Sequence, residues 1–326
     1  MIPPDLPAAL KATLEAKLHG LSRQDAAQRA ARISQAYRSG GTSGTIATEA
    51  DALAYAVVRM PATYAAVAAS LNALTELRPE FTPATLLDVG AGPGTASFAA
   101  AETFPSLATF AALDANPTLR TLALELADST SRFGNLTYTL GPAHQQIARA
   151  DPADLVIASY MIGELSDAER AALIQALWDK TTDTLVIVEP GTPAGYARII
   201  AARTQLIAAG AHVAAPCPHD APCPLVAPDW CHFVQRLARS RAHKQVKDVD
   251  VPFEDEKFIY VALTRAPIAR PVARVLAPTV ITKVAATAKL CRADGTMQIA
   301  SVPRRDKQAF AAARRWDWGD SVVTKL

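Results

Sequence analysis

Two groups of residues in this sequence have the types and spacing to do chemistry. The first is Leu86–Thr95, LLDVGAGPGT, where Asp88 ends a short apolar run and Gly90, Gly92 and Gly94 follow. Glycines let the backbone turn sharply and come close to a ligand with no Cβ in the way. The helix that follows offers free N–H groups at its start. Asp88 is expected to accept a hydrogen bond from an ammonium group or a water beside the ligand. The next apolar run ends in ALDAN, which puts Asp114 26 residues beyond Asp88. A carboxylate there can take both hydroxyls of a ribose, and Asn116 would line the base side.

The spacing D-V-G-x-G-x-G departs from the G-x-G-x-x-G of dinucleotide folds and resembles motif I of class I methyltransferases. The ribose would then belong to S-adenosylmethionine. NAD binding and a purely structural turn are the competing readings. On the acceptor side, the third run leads into SYMIGEL, with Tyr160 and Glu164 as the polar candidates for catalysis, and Glu189 and Pro190 at the end of the fourth run come next. No N-P-P-Y or D-P-P-Y motif for methylating exocyclic amines is present. No cysteine ends the third or fourth run, as a cytosine-C5 nucleophile would require.

The second group is the four cysteines, Cys217, Cys223, Cys231 and Cys291. Three fall within CPHDAPCPLVAPDWC, at spacing C-x5-C-x7-C, in a loop stiffened by prolines. Such a loop can converge several thiolates at little further entropic cost. Structural zinc sites usually carry two short C-x2–4-C knuckles, absent here. A wide spacing with a distant fourth cysteine fits an iron–sulfur cluster. Spacing alone leaves iron–sulfur and zinc open, with His219, His232 or His243 as substitute zinc ligands.

The elements that must position these groups follow from periodicity. Half of the 326 residues are hydrophobic and a fifth are charged, which supports a sizeable core and excludes global disorder. Ala-rich stretches at 25–38 and 62–77 have helical spacing, with a flexible break at 39–45 and Pro61 in the first turn of the second helix. Short apolar runs at 84–90, 108–116, 153–161 and 183–191 alternate with helical stretches at 118–130, 167–180 and 195–209. That alternation implies a parallel sheet with crossover helices. The run 257–265 reads as a late strand returning to the sheet. Strands near 272–276, 284–290 and 297–302 and a final helix complete a small tail. The start lacks the basic head and apolar run of a secretory signal, and no stretch of about 18 uninterrupted apolar residues marks a membrane span. The expected compartment is the cytoplasm, where the four cysteines are free thiols or metal ligands.

Charge is distributed unevenly. From Cys231 onward there are 18 Lys/Arg against 9 Asp/Glu, while the preceding residues carry 15 against 22. A basic end on an acidic body points to a polyanion. The candidate RNA contacts are Arg236, Arg239, Arg241 and Lys244, then Arg304, Arg305, Arg314 and Arg315 leading into Trp316 and Trp318. Cations neutralise phosphates and exposed aromatics stack on unpaired bases. The competing reading is a solvated helix face with two core tryptophans.

Taken together, RMPATYAAVAASL (59–71), LLDVGAGPGTASFAA (86–100), SYMIGELS (159–166), VEPGTPAGY (188–196), CPHDAPCPL (217–225) and DWCHF (229–233) resemble the Rsm22 family, the methyltransferase-like assembly factors of the mitochondrial small ribosomal subunit and their bacterial relatives. The resemblance implies a four-iron–four-sulfur cluster on Cys217, Cys223, Cys231 and Cys291, and S-adenosylmethionine at Asp88–Gly94. It also implies small-subunit rRNA as partner. The protein is expected to be monomeric off the ribosome. The expected fold is α/β, a class I methyltransferase (Rossmann-like) sheet. A helical N-terminal region (1–80) precedes the core (81–209), a Cys-rich metal-binding insert (210–256), and a final strand with a basic β-containing tail (257–326). Function is then either rRNA methyl transfer or ribosome assembly, or iron-status sensing, on a non-catalytic methyltransferase fold.

Overall fold

The computed structural model describes residues 1–247 and 249–323; the tail's last three residues lie outside the described set. Three helices come first: α1 (Ala8–Leu18), α2 (Arg23–Arg38) and α3 (Glu49–Leu77). Thr48 and Asp51 form a capping box that starts α3. Pro61 does not open a helix as expected but sits inside α3. The helix runs through it because α3 is the core helix: seventeen of its residues are buried against the sheet and neighbouring helices, and that burial outweighs the lost backbone donor. By length and composition α3 could cross a membrane, yet 72% of its most apolar window is buried inside the protein.

The alternation that follows is β1 (Thr85–Val89), α4 (Thr95–Thr103), β2 (Thr109–Asp114), α5 (Pro117–Ala127), β3 (Leu136–Leu140), α6 (Ala143–Gln146), β4 (Ala153–Ser159), α7 (Asp167–Asp179), β5 (Thr181–Pro190), α8 (Pro193–Ala208) and β6 (His212–Ala215). It continues with β7 (Phe233–Ala238), α9 (Arg241–Lys247) and β8 (Phe253–Thr264). The sheet order is β3-β2-β1-β4-β5-β8-β6, with β7 also on β8. The strands β3 to β5 are mutually parallel and β8 runs antiparallel between β5 and β6. That is the sheet of a class I methyltransferase, and its order reverses between β1 and β4. A crevice opens at such a switch point, outside the carboxyl ends of the strands.

The segment read as a separate insert is not one throughout. β6 and β7 both belong to the main sheet, with β7 pairing along the first half of β8. Only the Cys/Pro loop between them stands outside regular structure. The tail forms a second sheet from β9 (Ala273–Val275), β10 (Val280–Ile281), β11 (Ala285–Arg292), β12 (Met297–Pro303) and β13 (Ser321–Val322), with α10 (Lys307–Ala313) packed on β11 and β12. Trp316 packs into the tail's core and Trp318 against the main core beside His232. The tryptophans are therefore structural rather than exposed stacking platforms.

Candidate functional site

The Gly-rich turn is built largely before any ligand arrives. Gly90 and Ala91 donate their amides to the Leu113 carbonyl, and Gly94 donates to Ala91. Gly90 has φ +73°, and a Cβ there would lie 2.6 Å from the Met161 Cβ; no other residue fits. Gly94 plays a different part, capping α4 in the left-handed conformation and facing Phe98 and Ala123.

Asp88 corrects the sequence reading. It is fully buried, and its Oδ2 accepts from the Ser97 amide and hydroxyl at 3.0 and 2.7 Å. It does not reach the cavity; it pins the first turn of α4 to β1 from below. Its Oδ1 has no partner, and burial pushes its carboxyl up to about 7. Asp114 does face the cavity. Its Oδ2 accepts from the Gly92 amide at 2.9 Å and its Oδ1 from the Asn116 amide at 2.7 Å. Each oxygen keeps a lone pair for a ligand hydroxyl.

The cavity holds about 660 Å³ at the carboxyl ends of β1, β2 and β4, within the range of small-molecule sites. Gly90–Pro93 form its floor, Asp114–Leu119 one end, and Ser159–Met161 with Glu164 the other. Its roof comes from the N-terminal region: Tyr37, Thr42–Gly44, Ile46 and Ala47, with Tyr55 of α3. Asn116 fixes that roof. Its Nδ2 donates to the Ser43 and Ile46 carbonyls at 2.8 and 2.9 Å, while its Oδ1 caps α5. The sequence did not flag residues 42–47, since a short Gly/Ser/Thr stretch carries no sign of what it covers. Asp114, Glu164 and Glu169 bring carboxylates to the cavity, and among the described residues no lysine or arginine lines it.

Tyr160 and Glu164 both line the cavity. Tyr160 has φ +56°, a strained conformation for a bulky residue. Its hydroxyl donates to Glu256 Oε1 at 2.8 Å, with Arg59 also beside Glu256. Glu164 accepts from the Ser43 amide at 3.4 Å, and burial, reinforced by Asp114 and Glu189, pushes its carboxyl up to about 7. Glu189 is not a cavity residue: it is buried and ion-paired with Arg198 at 2.7 Å.

A second pocket is lined by all four cysteines together with Tyr196, Tyr260, Arg203 and Arg274. The tail's β11 carries Cys291 directly across from Arg274 on β9. The Tyr196 hydroxyl donates to Cys223 Sγ at 3.2 Å, and His219 Nε2 lies 3.3 Å from Cys291 Sγ. Burial pushes Cys291 up to about 12 and raises Cys217 and Cys231 as well. His232 is stacked on Trp230, and His243 is buried beside Glu254; neither lines this pocket. Among the described residues, no three His, Cys, Asp or Glu side chains form a ready site for a single ion. The donor set nonetheless fits a metal–thiolate centre on charge. Arg203 and Arg274 are buried there with no carboxylate partner among the described residues. A four-thiolate site around a doubly charged core is a dianion that two guanidiniums balance.

The basic residues divide into two sets. Arg236 pairs with Asp255 and Arg239 with Glu254, while Arg241 is exposed and Lys244 half-buried on α9. In the tail, Arg304, Arg305, Arg314 and Arg315 are all exposed, and none makes an ion pair among the described residues.

The family model described as "Mitochondrial small ribosomal subunit Rsm22" matches residues 49–323. The human ribosome assembly protein METTL17, mitochondrial, is 30% identical over 300 residues, covering 84% of this chain and 62% of that protein. The Rsm22-cox11 tandem protein 2, mitochondrial, of Schizosaccharomyces pombe is 25% identical over 324 residues, covering 84% and 43%. The chain thus spans about three-fifths of the first relative and under half of the second. Among solved structures, the magnesium protoporphyrin IX methyltransferase of Synechocystis PCC 6803 with bound SAM aligns at a TM-score of 0.41 and 15% identity, over 63% of this chain and 80% of that one. With a family model matching from the start of α3 to β13, and the sheet order a methyltransferase needs, the chain belongs to the Rsm22 family.

Proposed function

We propose that the protein is an S-adenosylmethionine-binding assembly factor of the small ribosomal subunit. A four-thiolate metal centre, read as a four-iron–four-sulfur cluster, would be held by Cys217, Cys223, Cys231 and Cys291. One observation carries the cofactor reading: the cavity presents Asp114, Glu164 and Glu169 and no lysine or arginine among the described residues. S-adenosylmethionine brings a sulfonium and an ammonium against one carboxylate, so a carboxylate-lined cavity favours it. A dinucleotide brings a pyrophosphate, which the same cavity repels, and the loop amides that would cradle one already donate to Leu113 and Asp114. Asp114 would take the ribose hydroxyls. The other end of the ligand would point toward Glu164.

The two buried guanidiniums support the metal reading. When bound, the centre would supply a cross-link between the cysteine loop and the tail sheet, with Tyr196 orienting Cys223 and His219 beside Cys291. The ribosomal partner rests on the relatives' names and on the four exposed tail arginines. The relatives are named as mitochondrial. That favours a mitochondrial compartment over the cytoplasmic expectation.

A second reading, rRNA methyl transfer, is favoured by Glu164. Its carboxyl, titrating near neutrality inside the cavity, suits a general base for an acceptor aligned with the methyl carbon.

Equilibrium dialysis with labelled S-adenosylmethionine tests the cofactor. Binding is expected for the wild type, with a tenfold or greater loss for Asp114→Asn, on the order of one charge-assisted hydrogen bond, and none for NAD. Tight NAD binding would reject the cofactor reading. Immature small subunits incubated with the labelled protein–cofactor complex then separate the two functions. Label in rRNA that disappears with Glu164→Gln establishes methyl transfer. Co-sedimentation without label leaves an assembly factor.

A further inference from the structure

Arg203 and Arg274 are among the largest fully buried side chains in the protein, at 2% and 1% exposure. Neither has an acidic partner among the described residues, and each keeps one buried nitrogen without a hydrogen bond, Arg203 Nε and Arg274 Nη2. Both line the pocket that the four cysteines line. A buried guanidinium without an anion is strongly destabilising, because nothing offsets its desolvation. The groups in that pocket able to become anionic are the four sulfurs and the phenols of Tyr196 and Tyr260, and burial pushes both phenols well above their ordinary range; metal binding makes the sulfurs the anions.

We infer that Arg203 and Arg274 are the counter-ions of the centre held by the four cysteines, and that they make the docking of the cysteine loop and tail conditional on its presence. The inference rests on the metal reading proposed above. Metal binding to cysteine displaces the thiol protons, so loading brings anionic sulfur to both guanidiniums at once.

The same two side chains hold the surrounding backbone together. Arg203, on α8, donates from Nη2 to the His219 and Ala221 carbonyls at 2.7 and 2.8 Å, gripping the cysteine loop. Arg274, on β9, donates from Nε to the Pro216 carbonyl at 2.9 Å and from Nη1 to the Gly319 carbonyl at 2.8 Å. It thereby ties the tail sheet to the start of that loop. Any movement of the guanidiniums toward water, once the anion is gone, pulls on these carbonyls. Loss of the centre therefore frees the loop and the tail together, while the methyltransferase sheet keeps its own core. Four cysteines hold metal whatever their neighbours; the two fixed cations add a cost to the empty pocket that neutral neighbours would not.

The test compares thermal unfolding of stripped protein with protein reconstituted anaerobically with ferrous iron and sulfide, and separately with zinc. Iron, zinc and acid-labile sulfide are measured first. A wild type that retains neither metal overturns the metal reading itself, before any variant is made. With metal retained, Arg203→Met and Arg274→Met are each expected to shrink the gap between loaded and stripped midpoints by roughly half, partly by raising the stripped midpoint. Arg203→Lys, which keeps the charge, is expected to preserve most of the gap. An unchanged gap in both methionine variants overturns the counter-ion assignment. Should those variants not fold, hydrogen exchange on the wild type decides: stripping is expected to deprotect residues 216–223 and β9 together and to spare β1 and β4. Protection unchanged at both segments overturns the inference.

Discussion

Asp88 and Asp114 are both acidic residues ending an apolar strand, yet the fold gives them opposite surroundings. Asp114 meets two backbone amides at the edge of the cavity, whereas Asp88 lies under α4 with one oxygen bare. Burial raises the Asp88 carboxyl from an ordinary 3.8 to about 7. Between those values the folded state holds a proton that the unfolded state releases, so this residue's contribution to stability falls as pH rises from about 4 to 7 and is level above that. Asp88→Asn resembles the protonated form and removes the dependence. Denaturant unfolding at pH 5 and pH 8 is expected to show the variant gaining on the wild type at the higher pH. An equal difference at both pH values would mean that the carboxyl titrates in its ordinary range.

At the scale of elements, the N-terminal region is the unexpected contributor. Residues 1–48 precede the family-matched stretch, yet the turn Ser43–Thr45 and its neighbours roof the cavity, held by Asn116. Asn116 does two jobs, capping α5 with Oδ1 and tethering the roof with Nδ2. Asn116→Ser separates them, because serine caps about as well but supplies no amide to Ser43 and Ile46. Each of these two bonds contributes about 1 kcal/mol. Proteolysis within residues 39–47 is therefore expected to speed up severalfold while the global unfolding midpoint moves little. S-adenosylmethionine should protect the wild type more than the variant. Equal cleavage rates in the two proteins would show that the roof is held by its packing alone.

For the whole molecule, the excess of positive charge toward the carboxyl end is arranged on two surfaces with different capacities. The cations of β7 and of the residue after it are neutralised by β8: Arg236 by Asp255, Arg239 by Glu254. The tail arginines at 304 and 305, just after β12, and at 314 and 315, just after α10, are exposed, and the same tail sends Arg274 and Cys291 into the cysteine pocket. Replacing these four by Gln is expected to weaken binding to small-subunit rRNA. It should also flatten the plot of log affinity against log salt by about 0.7–0.9 for each phosphate that is no longer neutralised. Arg236→Gln should leave that slope nearly unchanged. The reverse ranking would move the RNA surface from the tail to β7 and α9.

Much of this protein is legible in its sequence because local rules govern it. The strands β1, β2 and β4 lie within the apolar runs, and β5 begins two residues before its run, since a strand buried on both faces must be continuously apolar. Gly90 is dictated by its own φ, and the cysteines declare themselves by type. Other features were decided by the tertiary structure. β3, with its mixed sequence LTYTL, and the short β6 are strands because neighbours pair with them. Pro61 stays within α3 because that helix is wrapped by the core. Tyr160 turns its hydroxyl from the cavity toward Glu256, a residue 96 positions away. Nothing in the sequence marks Arg203 and Arg274, and only the packing of α8 and β9 around one pocket reveals them as buried charges that share it with the four sulfurs. Periodicity and residue type mark the strongly patterned segments, being properties of neighbours along the chain; the pairing of weakly patterned strands, burial, charge partnership and the cover over the cavity arise between residues distant in sequence, and only the fold brings them together.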